Sequence, residues 1–196
     1  MPPMKTMIDR LPYTGNDDAD RLLVSEPLAL LIGLALDQQV TLQKAFSGPF
    51  DLRERLGHLD AARIAAMDPA DLDEVFRRRP ALHRFPGSMA GKVRALCTVI
   101  RDEYANEAAR LWTEASDGRD LERRIGRLPG FGPMKVRTLL AILHKRFGVE
   151  LPGLAEVVPE YPTLADADSA ESLSRYQELK RAHKAELRAK SENFKA

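Results

Sequence analysis

Apolar residues recur along most of the chain at spacings of three and four, the period of an amphipathic helix. The apolar–polar alternation that marks a half-buried strand is scarce, so the pattern predicts an all-α protein. Residues 1–24 read as irregular and contain the turn-rich run L-P-Y-T-G-N-D-D. Ser25 reads as an N-cap, with Pro27 in the first turn of a helix to about Leu36. Its run L-A-L-L-I-G-L-A-L is apolar on every side, which suits a helix at the centre of the core. A short helix from Leu42 to Phe46 is expected to stop at S-G-P. Asp60 and Asp68, the latter followed by Pro69, start two short helices, and residues 79–87 form a loop with two prolines. Ser88 is expected to cap a helix that buries Val93, Leu96, Cys97 and Ile100. A short segment around Trp112 precedes a helix begun by Asp117 or Asp120. The next helix starts at Pro133 and buries Val136, Leu139, Leu140 and Leu143. Residues 148–168, rich in proline and acids, read as a loop, and residues 169–196 as a charged helix with a narrow apolar stripe.

Composition narrows the function classes. A single cysteine, Cys97, rules out an intrachain disulfide and any metal cluster held by several cysteines. No run approaches the roughly 18 apolar residues that span a membrane, and M-P-P-M-K-T-M-I lacks the apolar core of a signal peptide. A soluble, cytoplasmic monomer is the expectation. The net charge of +1 hides an asymmetry: residues 77–146 hold 16 Lys/Arg against 7 Asp/Glu. A basic block of this kind fits a polyanion better than the near-neutral total suggests.

Within that block lies L-P-G-F-G-P-M-K, from Leu128 to Lys135. Gly130 and Gly132 let backbone approach another surface without interference from a Cβ. The amides at the start of the next helix then favour an anion, and the basic surroundings point to a DNA phosphate. A helix, this turn and a second helix make a helix-hairpin-helix, whose work is sequence-independent contact with a DNA backbone.

Three segments in order and spacing carry a wider likeness: L-A-L-D-Q-Q-V-T ending at Thr41, G-S-M-A-G-K-V-R-A-L ending at Leu96, and the hairpin about 35 residues later. Together they resemble the helix-hairpin-helix DNA glycosylase superfamily, typified by endonuclease III and the adenine-mismatch glycosylases, over residues 25–147. The resemblance implies one unit of two helical lobes over residues 1–196, with double-stranded DNA in a cleft between them. It implies a base-excision repair protein that flips a damaged or mismatched base out of the duplex, since a stacked base is out of reach. Gln39 then matches the glutamine that fills the gap, beside Gln38. Lys92 matches a lysine near the substrate strand. Leu128, Gly130, Phe131, Gly132, Lys135 and Arg137 form the DNA-backbone contact. Backbone carbonyls of residues 128–132 are the family's seat for Na⁺ or K⁺, while no side chains supply a metal site.

The chain departs from the family pattern at three points. Lyase members carry a catalytic lysine two residues after the second hairpin glycine, where this chain has Met134 as a pocket residue. Lys135 comes one residue later, about 100° round the helix, which turns it away from the sugar and toward a phosphate. Monofunctional members lack the lysine and use water instead, so a hydrolase without lyase activity is implied. The family's V-D-T-H-like segment is also missing. Glu156 falls closest to its aspartate, Glu150 is a second choice, and Asp37 at the mouth of the expected cleft is the other catalytic carboxylate. Finally, the cysteine-rich C-terminus is absent, and with it the iron–sulfur cluster.

Plainer readings stand beside these. The hairpin is also a serviceable helix–helix turn, Gln38 and Gln39 suit a helix end, Asp37 suits a cap, and Lys92 and Glu156 suit solvated charges. The rival functions are a lesion-sensing DNA-binding protein that does not cut, and a helical interaction module without nucleic acid.

Overall fold

The computed structural model describes residues 8–193, all of them helix, turn or loop, with no strand among the described residues. The fold is all-α. Residues 1–7, on which the signal-peptide reading rests, and residues 194–196 of the terminal segment lie outside the described residues.

Helix α1 (Asp17–Ser25) occupies part of the segment expected to be irregular. The run N-D-D is a cap and first turn: Asn16 accepts from the Asp18 and Ala19 amides, and Asp17, Asp18 and Asp20 sit at the positive end of the helix. Asp20 is buried because its carboxylate accepts from the amides of Tyr13 and Thr14 at 3.1 and 2.8 Å, which anchors the preceding loop. Helix α2 (Pro27–Leu36) is capped by the Glu26 backbone rather than by Ser25, and every residue from Leu28 to Leu36 is buried.

Helix α3 (Leu42–Leu56) runs straight through the expected break at S-G-P. The reason lies in packing. A Cβ on Gly48 would collide with the Leu36 side chain, so this glycine serves a close approach of α3 to α2 and does not end a helix. Gly33 does the same from the other side, where a Cβ would lie 2.6 Å from the Phe46 ring. Pro49 is buried in the same stretch, and burial offsets the backbone hydrogen bond its ring removes. Gly57, at φ 75°, terminates the helix in the left-handed conformation.

Helices α4 (Ala61–Ala66) and α5 (Pro69–Arg77) start at Asp60 and Asp68 as the sequence suggests. Both pack on α6 (Pro86–Glu103), which begins at Phe85–Pro86 and leaves Ser88 an exposed first-turn residue without a cap role. Helix α7 (Arg110–Thr113) leads to α8 (Gly118–Gly126), capped by Asp117, and then to α9 (Pro133–Lys145). The stretch expected to be loop contains α10 (Leu154–Val157) and a 3-10 turn (Leu164–Asp166). Helix α11 (Ala170–Asn193) closes the described chain.

Packing divides these elements into two groups. Helix α2 is the hub of the first, touching α1, α3 and α6. Helices α8, α9, α10 and the 3-10 turn pack on one another in the second. The Tyr13 hydroxyl, buried against Phe46, donates to the Leu164 carbonyl at 3.1 Å and ties the two together. No helix among the described residues is long and apolar enough to cross a membrane.

Candidate functional site

Two turns meet where the groups adjoin: the α8–α9 hairpin and the α2–α3 turn. The hairpin is held from beneath. Leu128 and Phe131 are buried, so their side chains belong to the core, and the Phe131 amide donates to the Leu128 carbonyl at 3.2 Å. Gly130 adopts φ 83°, a conformation that costs any residue with a Cβ. Gly132 is the N-cap of α9, Pro133 occupies its first position, and no side chain caps it. The Met134 and Lys135 amides lie in the first turn, where the helix itself supplies no acceptor. They remain available to an anion.

The α2–α3 turn, Asp37 to Val40, is held from both ends. Thr41 caps α3 by accepting the Lys44 amide at 3.2 Å. The last carbonyls of α2 would be orphaned in the interior without partners. Leu34 accepts from the Asp37 amide at 3.2 Å, and Leu36 from the Gln38 amide at 2.7 Å. Two residues from distant segments complete the set. Lys135 Nζ donates to the Ala35 carbonyl at 3.1 Å, and His83 Nε2 to the Leu36 carbonyl at 3.1 Å. The other His83 nitrogen sets the tautomer, since Nδ1 accepts the Phe85 amide at 3.0 Å and the proton must sit on Nε2. Burial holds the His83 pKa below its ordinary value. His83 carries no signal in the sequence because its loop has no apolar period.

Held this way, the turn presents two exposed glutamines. Gln39 sits at φ 57°, in the left-handed region that a residue with a Cβ enters at a cost of about 1–2 kcal/mol. Gln38 Oε1 accepts a hydrogen bond from Lys92 Nζ at 2.6 Å. An open groove of about 590 Å³ results, lined by Gln38, Lys92, Leu128 and residues 130–135, while Gln39 lies outside its lining.

The remaining sequence candidates take different places around this groove. Met134 is 68 % exposed at its edge. Lys135 does not project into solvent: it is half-buried, with its amine turned onto α2. Burial lowers its pKa, the Asp37 carboxylate opposes that shift, and Lys92 adds to it. Arg137 is exposed on α9 but does not line the groove. Asp37 is half-buried and opens onto a second groove of about 450 Å³ toward α11. Burial raises its pKa, while Lys180 and Lys135 pull it down. Glu156 is exposed on α10, and Glu150 is exposed before it; neither lines either groove. Among the described residues, no group of three or more His, Cys, Asp or Glu is placed to hold a metal ion.

Compared with known proteins, the chain matches no family model, no curated protein and no solved structure. The groove itself therefore defines the chemistry within reach. One wall carries the helix-start amides of α9, and Lys92 and the Gln38 amide, bonded to each other, stand beside it, while the strained Gln39 is exposed next to Gln38 outside the groove lining. The helix-start amides and Lys92 suit a phosphate, and the glutamine amides a base edge. The half-buried Asp37 carboxylate behind the turn lines the second groove and interacts electrostatically with Lys180 and Lys135.

Proposed function

We propose that the protein binds double-stranded DNA and acts in base-excision repair as a monofunctional N-glycosylase on a damaged or mismatched base. The observation that carries this reading is the meeting of the hairpin, Lys92 and Gln38 at one groove, with the exposed Gln39 next in the turn. On this reading the helices before and after α7 are the two lobes of a helix-hairpin-helix glycosylase scaffold, and the groove belongs to the cleft between them. The Met134 and Lys135 amides, with Lys92, hold a backbone phosphate. Gln39 enters the gap left by the flipped nucleotide and hydrogen-bonds the orphaned base. Asp37 is the carboxylate of choice. It stabilises the positive charge that develops on the sugar as the C1′–N bond breaks, or takes a proton from the water that adds to C1′, while the base leaves with a proton. A cation such as Na⁺ or K⁺ on the carbonyls of residues 128–132 would add positive charge beside the phosphate. The reading carries with it a cytoplasmic monomer without an iron–sulfur cluster.

One observation favours a second reading. Among the described residues, no carboxylate lines the hairpin groove itself. A lesion-sensing protein that binds without cutting needs none. A panel of lesion duplexes separates the two. Abasic sites formed on at least one lesion, and lost in Asp37→Asn, support the glycosylase. Tight, lesion-selective binding with no base release supports the sensor. No binding at low salt removes both.

A further inference from the structure

The C-terminal half of α11 is not explained by the fold. The helix touches the body through Leu173, Tyr176 and Gln177, the last exchanging side-chain hydrogen bonds with Gln43 at 3.4 and 3.3 Å. From residue 178 to residue 191 every position is exposed, Leu179 and Leu187 included. A helix end that packs on nothing gains little from burial, and helix propensity alone leaves it marginal.

Its charge is ordered. Residues 175–190 hold six Lys/Arg and two Glu. Lys180, Lys184 and Arg188 stand at i, i+4 and i+8, with Arg181 beside them, so like charges stack along one edge. Such stacking weakens a helix, where an acid at i+4 would strengthen it. Glu186 lies about 160° round the helix from Lys184, and Glu178 about 160° from Lys180 but only about 60° from Arg181, at the border of the edge. The edge is also aimed. Lys180, Arg181 and Lys184 line the groove whose opposite wall is Asp37, Val40 and Thr41, the back of the turn that carries Gln38 and Gln39.

We propose that this edge of α11 is a second nucleic-acid contact, a basic rail that tracks the phosphates of duplex flanking the hairpin-bound segment. The inference rests on the reading of DNA as the partner and extends it. From Lys180 to Arg188 the edge runs about 12 Å at the helical rise, which spans about three or four phosphates of one strand. The rail carries no base-reading geometry, so its contribution is sequence-independent and salt-sensitive.

The test is the salt dependence of affinity for an undamaged duplex that extends past the hairpin, measured by fluorescence anisotropy between about 50 and 200 mM salt. Replacing Lys180, Arg181, Lys184 and Arg188 together by Gln is expected to lower the slope of log affinity against log salt by about 3 and affinity at about 0.1 M by at least tenfold. Changing Glu178 and Glu186 to Gln is expected to tighten binding, which controls for any loss of helix in the first variant. An unchanged slope in the four-site variant, or no gain in the two-site variant, overturns the rail. Lys92→Gln distinguishes the parent reading. If it weakens binding while the α11 variants do not, only the rail falls. If the unmodified protein binds no duplex at low salt, the DNA reading falls and takes the rail with it.

Discussion

Gln39 offers the sharpest separation of function from stability. It holds φ 57° on an exposed turn, so its side chain contributes little packing while its backbone stores strain. Gln39→Gly relieves a left-handed penalty of about 1–2 kcal/mol, partly offset by about 0.5–1 kcal/mol of extra unfolded-chain entropy. The net expectation is a gain of about 0.5–1 kcal/mol, or about 1–4 °C in Tm for a chain of this size. Gln39→Ala keeps the penalty and loses only the amide, so its Tm should stay near that of the unmodified protein. Both variants lose the same hydrogen bonds to an orphaned base, about 1 kcal/mol net, which lowers affinity for a lesion duplex about five- to tenfold. Thermal unfolding measured by circular dichroism and duplex binding by anisotropy give the four numbers. A Tm that falls in the glycine variant would refute the strain argument. Unchanged lesion affinity in both variants would refute the gap-filling role.

Two other outcomes are expected from the titrating groups. The His83 pKa lies below 6.5 in the fold, so its stabilising contribution is full above pH 6.5 and is lost as pH falls below that value. Tm should therefore drop with acidification below pH 6.5, and His83→Gln, which takes up no proton, should flatten that limb in parallel melts. The Asp37 pKa lies above 3.8, so its ionised form costs stability at neutral pH and not below pH 3.8. Asp37→Asn should raise Tm at neutral pH, with the gain fading toward pH 3.8, while base release falls; a lowered neutral Tm would contradict the burial argument.

The helical pattern is legible in the sequence because most helices carry a cap and an apolar stripe. Asp60, Asp68 and Asp117 mark three starts by side-chain chemistry alone, and the uniformly apolar α2 announces its central place. Sequence and structure part where one residue type serves two purposes. Gly48 and Pro49 look like a stop, yet the glycine serves contact with Leu36. Asn16 and the aspartates after it look like a loop, yet they form a cap and first turn. Of the site, Gln38, Lys92 and the hairpin can be named from order and spacing. That Lys135 turns inward to Ala35, and that His83 donates to the neighbouring carbonyl, cannot. Both depend on where α2 ends in space, which is set by packing between segments far apart in the chain.

The end of α2 is therefore the junction on which the proposed chemistry depends. Lys135 belongs to the hairpin helix and His83 to the loop before α6, and both donate to consecutive carbonyls of α2. Each bond fixes the direction in which Asp37, Gln38 and Gln39 leave the helix. Lys135 thereby joins the α8–α9 hairpin to the α2–α3 turn, and a cation at a helix C-terminus is favoured by the dipole as well as by the hydrogen bond. The same contact commits the lysine amine to structure. A lysine engaged with a backbone carbonyl must break that bond before it attacks a sugar carbon, whereas the exposed Met134 beside it has no nucleophile to offer. On the proposed reading this leaves water, not an amine, as the group that adds to C1′, with Asp37, whose charge burial disfavours and Lys180 and Lys135 favour, as its carboxylate.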